Sequence, residues 1–181
     1  QAQQLKVLNG HLIMANHPSL IDVVVLISLI PNADCVVKTH LFNNIFLRGV
    51  VSNTGYISNA DPVGLLVDCE ASLKAGNNLI IFPQGTRTKS EENLQFQRGA
   101  ANIAIRCQAK VTSVMLKVIP STLTKNVPWY RIPKTKAHFS AIVVENSPNL
   151  PENNVSQTSK DVRQYNRDLE NFFREELSKY G

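Results

Sequence analysis

The chain has 181 residues, 43% of them hydrophobic, with 19 Lys and Arg against 14 Asp and Glu, a net charge of +5. That length suits one domain, and that apolar share suits a sizeable core; no stretch approaches the ~18–20 apolar residues of a membrane span. A moderate positive balance favours anionic partners such as phospholipid headgroups, nucleotide phosphates or acidic carrier proteins, while no Arg/Lys block interleaved with aromatics marks a nucleic-acid module.

His11–Ala15 is a short apolar run that stops at Asn16-His17-Pro18, which reads as a strand. Ser19–Ile30 reads as a helix with Ser19 as N-cap and Pro31 as its stop. Cys35–Val37 is a short strand, Leu41–Val51 a helix and Gly55–Ser58 another short strand. Pro62–Lys74 reads as a helix, with Pro62 in its first turn and Gly76 just past its end. Leu79–Phe82 is an apolar strand, Gly85–Gln95 a polar loop, Arg98–Gln108 a helix and Val111–Ile119 a strand.

The Pro-containing stretch Pro120–Pro133 reads as a long loop, His138–Val144 as a strand and Pro148–Ser156 as turn-rich. Val162, Tyr165, Leu169, Phe172, Phe173 and Leu177 then recur at helical spacing, predicting an amphipathic helix over Ser159–Tyr180 that packs on the sheet, with lying on a membrane as the lesser alternative. Strands separated by helices of this length imply an α/β fold, with a mostly parallel or mixed central sheet flanked by helices, as a single domain over residues 1–181. The three cysteines, Cys35, Cys69 and Cys107, form no paired motif and read as free thiols rather than a zinc site or disulfide framework. His11, His40 and His138 have no partner at ligand-like spacing and read as structural.

Two short motifs concentrate the chemistry. In the first, His17 follows a strand and Asp22 falls near the start of the next helix. A carboxylate there can hydrogen-bond one imidazole nitrogen, fix the tautomer and leave the other nitrogen to take a proton from a substrate hydroxyl. The same Asp22, three residues after Ser19, also suits a plain capping box. In the second motif, Phe82-Pro83 ends a buried strand, Gly85 allows a tight turn, and Thr86 and Arg87 offer a hydroxyl and a cation at the sheet edge. Trp129-Tyr130-Arg131, with Lys134 and Lys136, mixes amphipathic rings with cations, which suits a membrane interface, an acidic carrier protein or a solvated loop.

Together these residues identify a resemblance. Asn16-His17-Pro18-Ser19-x-x-Asp22 matches the His-x4-Asp block of the lysophospholipid and glycerolipid acyltransferases, the 1-acylglycerol-3-phosphate acyltransferase superfamily. Phe82-Pro83-Gln84-Gly85-Thr86-Arg87 matches its Phe-Pro-Glu-Gly-Thr-Arg block, Lys38 fits the Lys of the second strand, and Phe96-x-Arg98-Gly99-Ala100 fits the segment after the third block. The resemblance runs from about Gly10 to Val118, with the blocks in family order, and is of a variant bacterial type.

It implies that His17 deprotonates an acceptor hydroxyl, which attacks the thioester of an acyl-CoA or acyl-carrier protein, while Asp22 orients His17. It further implies that Arg87, Gly85 and Thr86 hold a phosphate-bearing lysophospholipid or related acceptor, with Lys38, Asn59 and Gln84 contributing. No cofactor and no metal are implied beyond the acyl donor. The implied setting is a phospholipid surface at the cytoplasmic face of the inner membrane, with the domain either peripheral or anchored by a membrane-associated segment ahead of Gln1.

The chain departs from the family in three places. Asn59 stands where a phosphate-binding Arg is expected, Gln84 where a Glu is expected, and the fourth block, Val111–Met115, has no proline. The departures point to an acceptor other than lysophosphatidic acid. They also leave open a catalytically idle lipid- or carrier-binding module of the same fold. A serine hydrolase using Ser19 or Ser113 is the third reading, and it lacks a Gly-x-Ser-x-Gly elbow.

Overall fold

The computed structural model describes residues 2–37, 56–58, 61–87, 94–128, 130–152 and 158–180. The helix expected over Leu41–Val51 lies outside them, as do His40, Lys38, Asn59 and Trp129.

Among the described residues, six strands form one sheet: β1 (His11–Ala15), β2 (Ala33–Val37), β3 (Tyr56–Ser58), β4 (Asn78–Ile81), β5 (Lys110–Ile119) and β6 (His138–Val144). Their order is β3-β2-β4-β1-β5-β6. The first five run parallel and β6 is antiparallel to β5. The helices are α1 (Ala2–Leu5), α2 (Asp22–Leu29), α3 (Pro62–Lys74), α4 (Arg98–Arg106) and α5 (Ser159–Tyr180). The mixed α/β architecture matches the fold class expected from the sequence.

The central strands β1 and β4 are buried on both faces, which is why they read as near-continuous apolar runs rather than alternating ones. Successive side chains still point to opposite faces. Leu12 and Met14 of β1, with Leu79 and Ile81 of β4, join Ala101, Ile103 and Ile105 of α4 and Leu169 and Phe173 of α5 in one core. Ile13, Ala15, Ile80 and Val114 face the other way and meet Leu26 and Ile30 with Leu5. The stripe read from α5 therefore packs on the sheet.

Most element boundaries agree with the sequence reading, and the exceptions have local causes. Helix α3 spans the expected residues; the Asp61 carboxylate caps it by accepting from Val63 and Gly64 N–H at 3.0 and 2.9 Å. Strand β4 begins one residue early because the buried Asn78 closes the sheet's amino edge. Its side chain bonds Leu8 O, Pro31 O and the N–H of His11. Helix α4 ends before Gln108, which takes a positive φ of 46°. The short α1 was not visible in the sequence.

The expected N-cap at Ser19 is corrected. Helix α2 starts at Asp22, and Ile21 occupies the cap position with no side-chain bond. The Ser19 hydroxyl is buried and caps nothing; its backbone N–H instead donates to Asp22.

Candidate active site

Connections leave β1 and β4 in opposite directions. The chain from β1 crosses to β2 on one side, and the chain from β4 crosses over β1 to β5 on the other. Ligands of open α/β sheets bind at the carboxyl ends of such a pair of strands. Both sequence motifs begin there.

Just past β1, the Asn16 side chain donates to Leu116 O at 2.9 Å and accepts from Leu116 N–H at 2.6 Å. An amide side chain thus replaces one rung of the ladder to β5 and fixes where the chain turns. His17 follows. Its backbone N–H donates to Gln84 Oε1 at 2.9 Å, joining the end of β1 to the end of β4. Its ring stacks on Phe82, with centroids 4.3 Å apart and planes at 21°.

The His17 Nδ1 lies 2.9 Å from Asp22 Oδ2, and the Ser19 N–H donates to the same oxygen at 2.7 Å. Asp22 is wholly buried, while the His17 side chain keeps 18% exposure. A carboxylate accepts only, so in this bond Nδ1 carries the hydrogen and Nε2 of the neutral ring holds a lone pair. Asp22 sits on the first residue of α2, where the helix dipole favours a negative charge. The two readings of Asp22 prove compatible: it reaches back to a backbone N–H as in half a capping box, and it holds the imidazole.

Gln84 is buried, 4% exposed. Gly85 follows at φ +63°, a left-handed conformation that a side chain would strain, and its N–H closes the turn on Phe82 O at 2.9 Å. Thr86 is exposed. The Arg87 guanidinium Nη1 donates to Leu123 O at 2.8 Å and reaches Thr124 O at 3.4 Å. Leu123 O also accepts from Leu20 N–H at 3.1 Å. The start of the β5–β6 connection is thereby strapped to both motifs, a link that no local sequence signal announced.

The structure thus brings His17, Asp22, Gln84, Gly85 and Arg87 to one edge of the sheet. Strands β2 and β3 end on the same edge at Val37 and Ser58; Lys38 and Asn59 fall outside the described residues. Asn16 and Phe82 were legible as motif letters, but not as the groups that lock His17 in place.

The remaining reactive groups lie elsewhere. Ser113 is buried in β5 and accepts a hydrogen bond from Ser147, and no imidazole bonds to Ser19 or Ser113 among the described residues. The three cysteines are free. Burial raises Cys35 and Cys69 to about 12 and Cys107 to about 11, far from thiolate chemistry at neutral pH. His11 is at the opposite end of β1, with Nδ1 2.9 Å from Thr112 Oγ1.

A parallel-strand switch point carrying a His–Asp pair defines an α/β protein with a site suited to proton transfer. The family model described as Acyltransferase matches residues 1–117. The chain is 35% identical over 112 residues to a 1-acyl-sn-glycerol-3-phosphate acyltransferase of Helicobacter pylori, covering 58% of this chain and 47% of that protein. It is 28% identical over 140 residues to one of Cocos nucifera, covering 71% and 44%. The fold is similar to that of the 1-acyl-sn-glycerophosphate acyltransferase PlsC of Thermotoga maritima. The TM-score is 0.57 at 19% identity, over 98% of this chain and 70% of that one. The chain belongs to the acyltransferase family, within the 1-acylglycerol-3-phosphate acyltransferase-like superfamily. It spans about half the length of the curated relatives it matches.

Proposed function

We propose that the protein transfers an acyl group from an acyl-CoA or acyl-carrier-protein thioester to a hydroxyl of a lysophospholipid or related glycerolipid. One observation carries the reading: Asp22 occupies the Nδ1 side of His17, leaving Nε2 as the basic nitrogen at a partly exposed edge. Nε2 takes the acceptor's hydroxyl proton as its oxygen attacks the thioester carbonyl. The C–S bond breaks as the tetrahedral adduct collapses, and the thiolate leaves with the proton returned by the imidazolium. Gln84 and Phe82 hold His17 by its backbone and its ring, so the base is oriented before substrate arrives.

Arg87 serves the acceptor phosphate in this reading. Its Nη1 is spent on the Leu123 and Thr124 carbonyls, and the rest of the guanidinium fork provides the anion contact, with Gly85 and Thr86 beside it. Lys38 and Asn59 complete the acceptor site by resemblance. Asn59 and Gln84 bring no charge, so the acceptor is less anionic or bulkier than lysophosphatidic acid. The proposed setting is a phospholipid surface on the cytoplasmic face of the inner membrane.

The test is a panel of lysophospholipids incubated with labelled acyl-CoA and acyl-carrier-protein donors, with products identified by mass spectrometry. A labelled diacyl product that vanishes in His17→Ala supports transfer. No product across the panel, with lysolipid binding intact, supports the idle module instead.

A further inference from the structure

Strand β5 runs beyond the sheet. Its pairing with β1 ends at Ala15 and Val114, yet its pairing with β6 continues to Ile119 and His138. Five further residues at ~3.4 Å each extend the hairpin roughly 17 Å along the strand direction past that rung. The connection between Ile119 and His138 sits at the end of this arm.

Its surface combines two properties. Ile119, Tyr130 and Ile132 are 55%, 68% and 83% exposed. Lys125, Arg131, Lys134 and Lys136 are exposed around them, and no Asp or Glu occurs anywhere between Glu92 and Glu145. None of these four cations forms an ion pair among the described residues. On α5 and α3, by contrast, Arg174 pairs with Glu170, Lys179 with Glu176 and Lys74 with Glu70. A cationic surface with unpaired charges and bare isoleucines is complementary to anionic headgroups over acyl chains.

The arm is also fixed to the site. Leu123 O receives both Arg87 and the Leu20 N–H, and Leu20 and Val24 on the α2 side are themselves 49% and 61% exposed. Exposed apolar side chains thus stand both on the arm and at Leu20, three residues from His17 in the chain.

The geometry points to the β5–β6 arm as a docking surface for an anionic lipid bilayer, seating the sheet's carboxyl edge against the membrane that holds the acceptor. The inference rests on the acyltransferase reading only for the identity of that acceptor. Exposed isoleucines favour a bilayer over an acidic carrier protein, because a carrier helix satisfies the cations without burying so much apolar surface.

The experiment is co-sedimentation of the chain with vesicles of phosphatidylcholine alone or mixed with phosphatidylglycerol, at low and high salt. Binding should require phosphatidylglycerol and weaken with salt. Each cation near such a surface contributes roughly fivefold in affinity, so Lys134→Glu with Lys136→Glu should lower partitioning by at least about twenty-fivefold. Ile119→Ser with Ile132→Ser should lower it about tenfold or more. Both variants should keep the wild-type melting temperature and turn over a detergent-dispersed acceptor normally. His17→Ala should bind vesicles as wild type does; a wild-type chain that binds vesicles without turning over any acceptor ends the catalytic reading and leaves the docking surface standing. Wild-type partitioning by the arm variants overturns the proposal, as does a wild-type chain that ignores anionic vesicles. A loss confined to the KM for an acyl-carrier-protein donor overturns it too and reassigns the arm to that carrier.

Discussion

The His17–Asp22 pocket and the β5–β6 arm occupy the same edge of the sheet and are built on opposite principles. In the pocket, Asp22 is fully buried and its Oδ2 takes two donors, while the Asn16 amide meets both backbone groups of Leu116. In the arm, cations and isoleucines stand exposed. The proposed proton transfer needs fixed geometry, and here Asp22 Oδ2, the Asn16 amide and the His17 N–H are all held by bonds within the protein. A docking surface needs groups left over for something else. The two proposed tasks would separate by a few residues, with Leu123 O, which accepts from both Leu20 N–H and Arg87, as the joint between them.

The sharpest way to break that contrast is His17→Ala. Removing a general base typically costs ~10²–10⁴ in rate, so kcat should fall by that factor while the melting temperature stays near wild type. Asp22→Asn should retain more activity, because His17 keeps its place and loses only the orienting charge. Near-normal turnover in the His17 variant would end the mechanism.

Next in size is Asn16→Ala, at a side chain bonded to the backbone of Leu116. It leaves the N–H and carbonyl of Leu116 without their partners in a buried site, at about 1–3 kcal/mol for each unmet group. Denaturant unfolding should show a clear loss of stability, with no comparable loss for the arm variants. Equal stability would mean that the strand end relaxes or that water replaces the amide.

The proposed acceptor site is probed by Asn59→Arg combined with Gln84→Glu. A charge-assisted bond to a phosphate contributes about 1.5–3 kcal/mol, so kcat/KM for lysophosphatidic acid should rise roughly ten- to a hundredfold. The carboxylate introduced by the second change keeps an oxygen for the His17 N–H, so the pocket should survive. An unchanged kcat/KM, with the wild type already using that acceptor well, would show the two substitutions to be silent.

The smallest effect is expected at the other end of β1. Burial, then the charge of Lys110, holds the His11 imidazole below its ordinary value of 6.5. A lowered folded value means that the unfolded chain binds the proton more readily. The contribution is therefore complete above pH 6.5 and is lost as pH falls from there through the lower folded value. Thermal melts of His11→Gln should lack the part of the acid-side decline that the wild type shows over that window. Superimposable profiles would remove His11 from the account.

The sequence by itself determined the alternation of strands and helices, because apolar runs bounded by Pro, Gly and polar turns follow from local backbone preferences. Helix α3, with Pro62 in its first turn and Gly76 past its end, and the stripe of α5 needed no tertiary information. It also determined the chemistry on offer at His17, Asp22 and Arg87, since residue type and order along the chain carry that. It did not determine where α2 begins. Ser19 is a good cap by local rule, but its N–H is claimed by an Asp22 carboxylate that also holds His17. Nor could it show that Asn16 stands in for a ladder rung, that Asn78 belongs inside a strand, or that Arg87 reaches Leu123. Those bonds join residues 36 to 100 positions apart. Such pairings exist only after β1 has been placed between β4 and β5, so the packing of the sheet, rather than any local pattern, decided them.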